Sequence, residues 1–131
     1  MADAKELLKA QELAKAGVVS APANFLNATL DQLLDHCNGC GASGSWFRPP
    51  ERIYGTLIVF ACHIHDWQYS FGYTNEDKEE ADRTFKHNML RLITRDSAKW
   101  YKPTRLQRIR AHLYYVAVCR YGGEAFWAGK V

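Results

Sequence analysis

His65 and Asp66 stand side by side in the run CysHisIleHisAspTrpGlnTyr (62–69), and two residues placed around them make that pair chemically interesting. If this run is helical, Tyr69 falls one turn after His65 on the same face. Asp82 belongs to the next helical stretch, one turn from Phe85, on the side that must look back at the first helix. A His on one helix and an Asp on its antiparallel neighbour is the geometry that orients an imidazole. The carboxylate accepts the proton of one ring nitrogen, and the other nitrogen is left to take a proton from water. Asp66 is a hard oxygen donor, and the run CysAsnGlyCysGlyAlaSerGly (37–44) has three glycines that let backbone carbonyls approach a common point. Carboxylate and carbonyl oxygens are the ligands calcium prefers. No one of these parts is specific; their conjunction carries the reading.

The elements that must position these residues are helices joined by loops, with no sustained alternating strand pattern. Residues 3–16 form an Ala-, Leu- and Lys-rich helix ending at Gly17, whose sparse apolar positions (Leu7, Leu8, Leu13) predict loose packing. A second helix starts at Asn27 or Thr29 as cap and runs to His36. Residues 37–52 are the longest irregular stretch, and the ProPro pair at 49–50 forbids a helix there. A third helix runs from Arg52 or Thr56 through Tyr69. ThrAsnGluAsp (74–77) caps a fourth, which reaches about Thr94 with Phe85, Met89, Leu92 and Ile93 on its buried stripe. The third and fourth, joined by a short turn, should pack antiparallel. Pro103 opens a last helix, 103–121, with Leu106, Ile109, Leu113 and Val116 at helical spacing, and GlyGly at 122–123 stops it.

CysHisIleHisAspTrpGlnTyr resembles the phospholipase A2 motif, in which a Cys stands three residues before a HisAsp pair and a Tyr four after the His: here Cys62, His65, Asp66 and Tyr69. AspArgThrPhe (82–85) is similar to the family's second motif, and CysGly at 40–41 to the start of its calcium loop. The compact join between the motifs, and the absence of a Cys before Tyr69, look more like the bacterial, fungal and parvoviral branches. The resemblance covers roughly residues 37–93 of a single domain spanning 1–131, with 1–16 as an N-terminal helical extension. It implies an all-α fold with two antiparallel catalytic helices and a Gly-rich calcium loop. It implies Ca2+-dependent hydrolysis of the sn-2 ester of glycerophospholipids to lysophospholipid and free fatty acid. His65 would be the general base, Asp82 would hold its ring, and Tyr69, with Tyr73, would hydrogen-bond Asp82. Asp66 and the backbone carbonyls of Gly39, Gly41 and Ser43 would bind the metal, with Asn38 an alternative to one carbonyl. Cys40 and Cys62 match the family's disulfide; Cys37 and Cys119 either pair or stay free. Where the family loop commonly has a second Gly this chain has Ser43, and the connection from Cys40 to Cys62 is longer than usual.

Composition bounds the rest. At 131 residues with 47% hydrophobic and 24% charged content, the chain is an ordinary globular domain. A formal charge of +3 is too small to point to nucleic acid. From Ala98 to Arg110, however, Lys99, Lys102, Arg105, Arg108 and Arg110 occur with no acid. Beside Trp100 and Tyr101, and with Trp46 and Phe47, they make the expected membrane-facing surface, so the expected partner is a phospholipid membrane bound peripherally. The alternative is a solvated helix face. No apolar run approaches a membrane span, and residues 1–9 do not read as a signal peptide. The resemblance implies a secreted, virion-borne or effector-delivered protein rather than a cytoplasmic one. Two competing readings stand beside the enzyme. Cys37-x-x-Cys40 has structural zinc spacing, which Cys62, His63 or His36 would complete in a small binding module. A membrane-binding helical module without catalysis is the other. His63 is expected to be a mere neighbour of the site, and His36, His87 and His112 surface residues.

Overall fold

A computed structural model describes residues 3–37, 50–99 and 103–130. Within them the chain is mostly helical, with helices α1 (Ala4–Lys15), α2 (Ala23–Leu26), α3 (Leu30–His36), α4 (Val59–Phe71), α5 (Asn75–Ser97), α6 (Thr104–Tyr121) and α7 (Gly123–Trp127). Between α3 and α4 lies a two-stranded antiparallel hairpin of β1 (Arg52–Ile53) and β2 (Thr56–Leu57). None of the described helices is long and apolar enough to cross a membrane.

The helix starts follow from their caps. Asp3 accepts from the Lys5 N–H to open α1. Thr29 and Gln32 form a capping box at α3, and Thr74 and Asp77 form another at α5. The second box also sets the site: Asp77 accepts the N–H groups of both Tyr73 and Thr74, which fixes the turn between α4 and α5. With only 72–74 between them, α5 packs back along α4.

The core is built around α4, which is buried on nearly every side because α1, α3, α5 and α7 all pack on it. Phe85, Met89, Leu92 and Ile93 of α5 are all buried, as their spacing predicts. α1 departs from its expected loose packing. Leu7 and Ala10 are completely buried and Leu13 nearly so. Gln11 Nε2 donates to the carbonyls of Phe25, Leu26 and Ala28, fastening α1 to α2. A few fully buried side chains, each contributing on the order of 1.5–3 kcal/mol, suffice to dock a short helix.

Three further differences have local causes. The third helix starts at Val59, because the preceding residues turn through Tyr54 (φ 44°) and Gly55 (φ 91°) into the hairpin. Two successive positive φ values make the tight turn that two antiparallel strands need. The GlyGly pair ends α6 but opens α7 at once, which the sequence did not announce. Finally, α6 is rotated from the expected face. Gln107, Ala111, Tyr114 and Val118 are buried, while Leu106, Ile109 and Leu113 are about half exposed. Gln107 explains the rotation: its Nε2 donates to the Ile53 carbonyl at 2.9 Å and to Thr56 Oγ1 at 2.7 Å, so the hairpin takes the amide N–H groups and the side chain holds the inward place, with its Oε1 unpartnered among the described residues.

Candidate active site

α4 and α5 bring three of the expected residues together. His65 Nε2 lies 2.8 Å from Asp82 Oδ1, and the Tyr69 hydroxyl donates to the same oxygen at 2.7 Å. Asp82 is 1% exposed and His65 8%. His65 and Tyr69 stand one turn apart on α4, their rings 4.1 Å apart, and Phe85 of α5 closes the far side of the imidazole at 4.7 Å. Nδ1 of His65 makes no hydrogen bond among the described residues.

The electrostatics fix the tautomer. Burial works to raise the Asp82 carboxyl, but donors from His65, Lys78 and Tyr69 and the charge of His65 hold it below the usual carboxylate range. The carboxylate is therefore an acceptor, the proton of His65 sits on Nε2, and Nδ1 carries the lone pair. His65 itself is lowered from its ordinary value, chiefly by burial and also by the Lys78 charge, against the opposing pull of Asp82. A neutral imidazole beside a fixed carboxylate is a competent general base.

One part of the site has no counterpart in the expected set. Lys78, one turn before Asp82 on α5, places Nζ 2.8 Å from Asp82 Oδ2 and 2.9 Å from the Val118 carbonyl at the end of α6, with the Cys119 carbonyl at 3.4 Å. The place expected for Tyr73 is thus taken by a cation. Tyr73 lies beyond the end of α4, 72% exposed, and makes no hydrogen bond to Asp82. Lys78 is the lone base in the acidic run Glu76–Glu80, and its i, i+4 spacing to Asp82 was the available signal. α7 supplies the other unforeseen support: Phe126 packs edge-on against Tyr69, ring centres 5.2 Å apart, and Lys130 donates to the Tyr69 carbonyl. Gly122 lies against the Tyr69 hydroxyl so closely that a Cβ there would run into it and into the Val118 carbonyl.

Asp66 is half-buried on α4, beside His65, and its charge is felt by both the Cys37 thiol and the Tyr69 hydroxyl. A carboxylate in that position fits a hard divalent cation in donor type. No group of three His, Cys, Asp or Glu residues gathers for a metal among the described residues. Carbonyl oxygens would have to complete the sphere, and Gly39, Gly41 and Ser43, with Asn38, lie outside the described residues. Cys62 is disulfide-bonded, and Cys40, the partner the resemblance implies, also lies outside them. Cys37 and Cys119 are free thiols and do not pair. Cys37 is buried, its thiol pushed up to about 12, and Sγ approaches the His63 carbonyl at 3.4 Å.

The other histidines divide. His87 and His112 are exposed, as expected. His36 is half-buried where a surface position was expected: it packs against Trp67 and Phe71, with Nδ1 against Ser70 Oγ. His63 is completely enclosed beside α1, neither ring nitrogen hydrogen-bonded, with Nε2 3.6 Å from Glu6 Oε1.

Compared with family models, curated proteins and solved structures, the chain matches none.

Proposed function

We propose that this protein is a calcium-dependent phospholipase A2-like hydrolase acting at a phospholipid membrane surface. The observation that carries the reading is the buried His65–Asp82 pair, joined at 2.8 Å with Tyr69 on the same carboxylate oxygen and Asp66 next in sequence to the base. That combination suits activation of water without a protein nucleophile.

In the proposed reaction a water within reach of His65 Nδ1 attacks the carbonyl carbon of the sn-2 ester. Nδ1 takes the water proton, and Asp82, ionised and facing Nε2–H, stabilises the imidazolium that forms. The imidazolium then returns the proton to the glycerol oxygen as the acyl C–O bond breaks, leaving lysophospholipid and free fatty acid. Asp66, with carbonyls of the Gly-rich run, would hold the calcium ion, which would supply positive charge for the substrate phosphate and the developing oxyanion. Phe85 and Tyr69 cover the imidazole on two sides, which limits its access to bulk water.

The test is fatty-acid release from phospholipid vesicles, in calcium and then in chelator. Release is expected with calcium, and it should fall by two to four orders of magnitude in His65→Ala, the range for loss of a general base. Release that survives chelation or His65→Ala sinks the mechanism.

A further inference from the structure

α6 carries apolar side chains on two faces, and the core uses only one. Gln107, Ala111, Tyr114 and Val118 point inward. Leu106, Ile109 and Leu113 recur at helical spacing on another side and are 50%, 52% and 53% exposed. Val116, partly buried, extends the row. Single exposed leucines are ordinary, but an aligned row along one helix is a surface with a use.

The charges around the row indicate what it meets. Arg105, Arg108, Arg110 and Arg120 are all exposed on α6, together with His112. Arg110 lies over the ring of half-exposed Tyr54, 5.9 Å from its centre, and so adds an aromatic edge from the hairpin. The sequence holds no Asp or Glu between Ser97 and Gly123. A second copy docking face to face on this row would set arginines against arginines with no local acid to pair them, so self-association is opposed. An apolar strip bordered by arginines matches a bilayer carrying anionic headgroups. There the leucine and isoleucine side chains enter the acyl boundary while the guanidinium groups stay among phosphates.

We infer that the outward face of α6, Leu106–Ile109–Leu113 with its arginine border, docks on an anionic lipid bilayer. This docking shares its membrane with the proposed hydrolysis but not its chemistry, and the two are tested apart.

Binding of the full chain is measured in chelator, by co-sedimentation with vesicles of phosphatidylcholine containing phosphatidylglycerol and with vesicles of phosphatidylcholine alone. The wild-type protein is expected on the anionic vesicles, with affinity falling as salt rises. The triple variant Leu106→Ser/Ile109→Ser/Leu113→Ser should bind about a hundredfold more weakly, and each of Arg105→Gln, Arg108→Gln and Arg120→Gln about fivefold more weakly. These side chains are exposed, so an unchanged melting temperature is expected and separates lost binding from lost folding. Equal binding to neutral vesicles, unchanged binding by the triple variant, or no vesicle binding by the wild-type protein overturns the inference. So does a concentration-dependent dimer, seen by sedimentation, that the triple variant abolishes. Loss of fatty-acid release with vesicle binding intact would strike the hydrolase proposal and leave this one standing.

Discussion

The Lys78 ammonium holds the oxygen of Asp82 that His65 does not use, 2.8 Å from Oδ2, while its other protons reach the Val118 and Cys119 carbonyls. A single side chain thus ties the carboxylate behind the imidazole to the C-terminal end of α6. The Val118 carbonyl already accepts the Gly122 N–H that closes α6, so the ammonium is a second donor to it, and a cation is favoured at the negative C-terminal end of a helix. The carboxylate, bonded on both oxygens, has little freedom to turn, and neither has the ring it orients.

Lys78→Met should expose this coupling. Its side chain is 13% exposed and its partner's 2%, so removing the cation leaves a buried carboxylate oxygen short of a donor, at about 2–4 kcal/mol of stability. The proposed hydrolysis should lose ten- to a hundredfold in kcat with little change in KM, because the loss is one of alignment. The readout specific to alignment is the downfield His65 Nε2–H resonance in proton NMR, which should shift or broaden. The double variant Lys78→Met/Asp82→Asn should recover part of the lost stability, since neither buried charge remains. A sharp, unshifted resonance in the single variant would remove Lys78 from this role.

Tyr69 offers a finer test. Tyr69→Phe deletes one donor to Asp82 and keeps the ring against Phe126. It should cost about 1.5–3 kcal/mol in stability, the range for a hydrogen bond to a charged group. Gly122→Ala leaves Tyr69 in place but forces its hydroxyl and the Val118 carbonyl to move. If the hydroxyl acts by holding Asp82, both changes should lower kcat in the same direction. A fully active Gly122→Ala protein would show that the position of the hydroxyl does not matter.

Much of this arrangement is legible in the sequence. The caps Thr29 and Thr74, the buried stripe Phe85–Met89–Leu92–Ile93 and the facing of His65 and Asp82 all follow from local chemistry and helical period. What failed to read out depends on contacts far apart in the chain. Leu106, Ile109 and Leu113 have the spacing of a buried face, yet Gln107 is inside because Ile53 and Thr56, more than fifty residues earlier, accept its amide N–H groups. Tyr73 matched an expected pattern, but α4 ends at Phe71 and leaves it in solvent. Lys78 looked like a break in an acidic run, because the carbonyls that hold it belong to α6.

His63 makes stability depend on pH. It is buried against α1 without a hydrogen bond, and burial lowers it from 6.5 to about 4, against weaker raising by Glu51 and Asp3. The unfolded chain takes up this proton at higher pH than the folded one. Stability should therefore fall as pH drops from about 6.5 toward 4, by at most about 3 kcal/mol from this group, and level off below. Glu6, 3.6 Å away, offsets part of that loss once the ring is charged. Urea midpoints at pH 7 and pH 5 should differ less in His63→Leu than in the wild-type protein. Equal slopes in the two proteins would place the acid sensitivity elsewhere.

Asp66 carries the last prediction, which reads the metal without asking for turnover. A ligand that binds only the folded chain raises its melting temperature, with stabilisation growing as the logarithm of ligand concentration above Kd. At a calcium concentration a hundred times Kd the gain is about 2.7 kcal/mol. Asp66 is half-buried beside the base and is the carboxylate the proposal gives to the ion. Asp66→Asn keeps the shape and removes the charge, so the calcium-dependent rise should vanish while the stability in chelator stays within about 1 kcal/mol of the wild type. Magnesium should substitute poorly, since it demands near-octahedral geometry at shorter distances and dehydrates reluctantly. If millimolar calcium leaves the wild-type melting temperature unmoved, the metal half of the proposal fails, and His65 and Asp82 would have to work with some other source of positive charge.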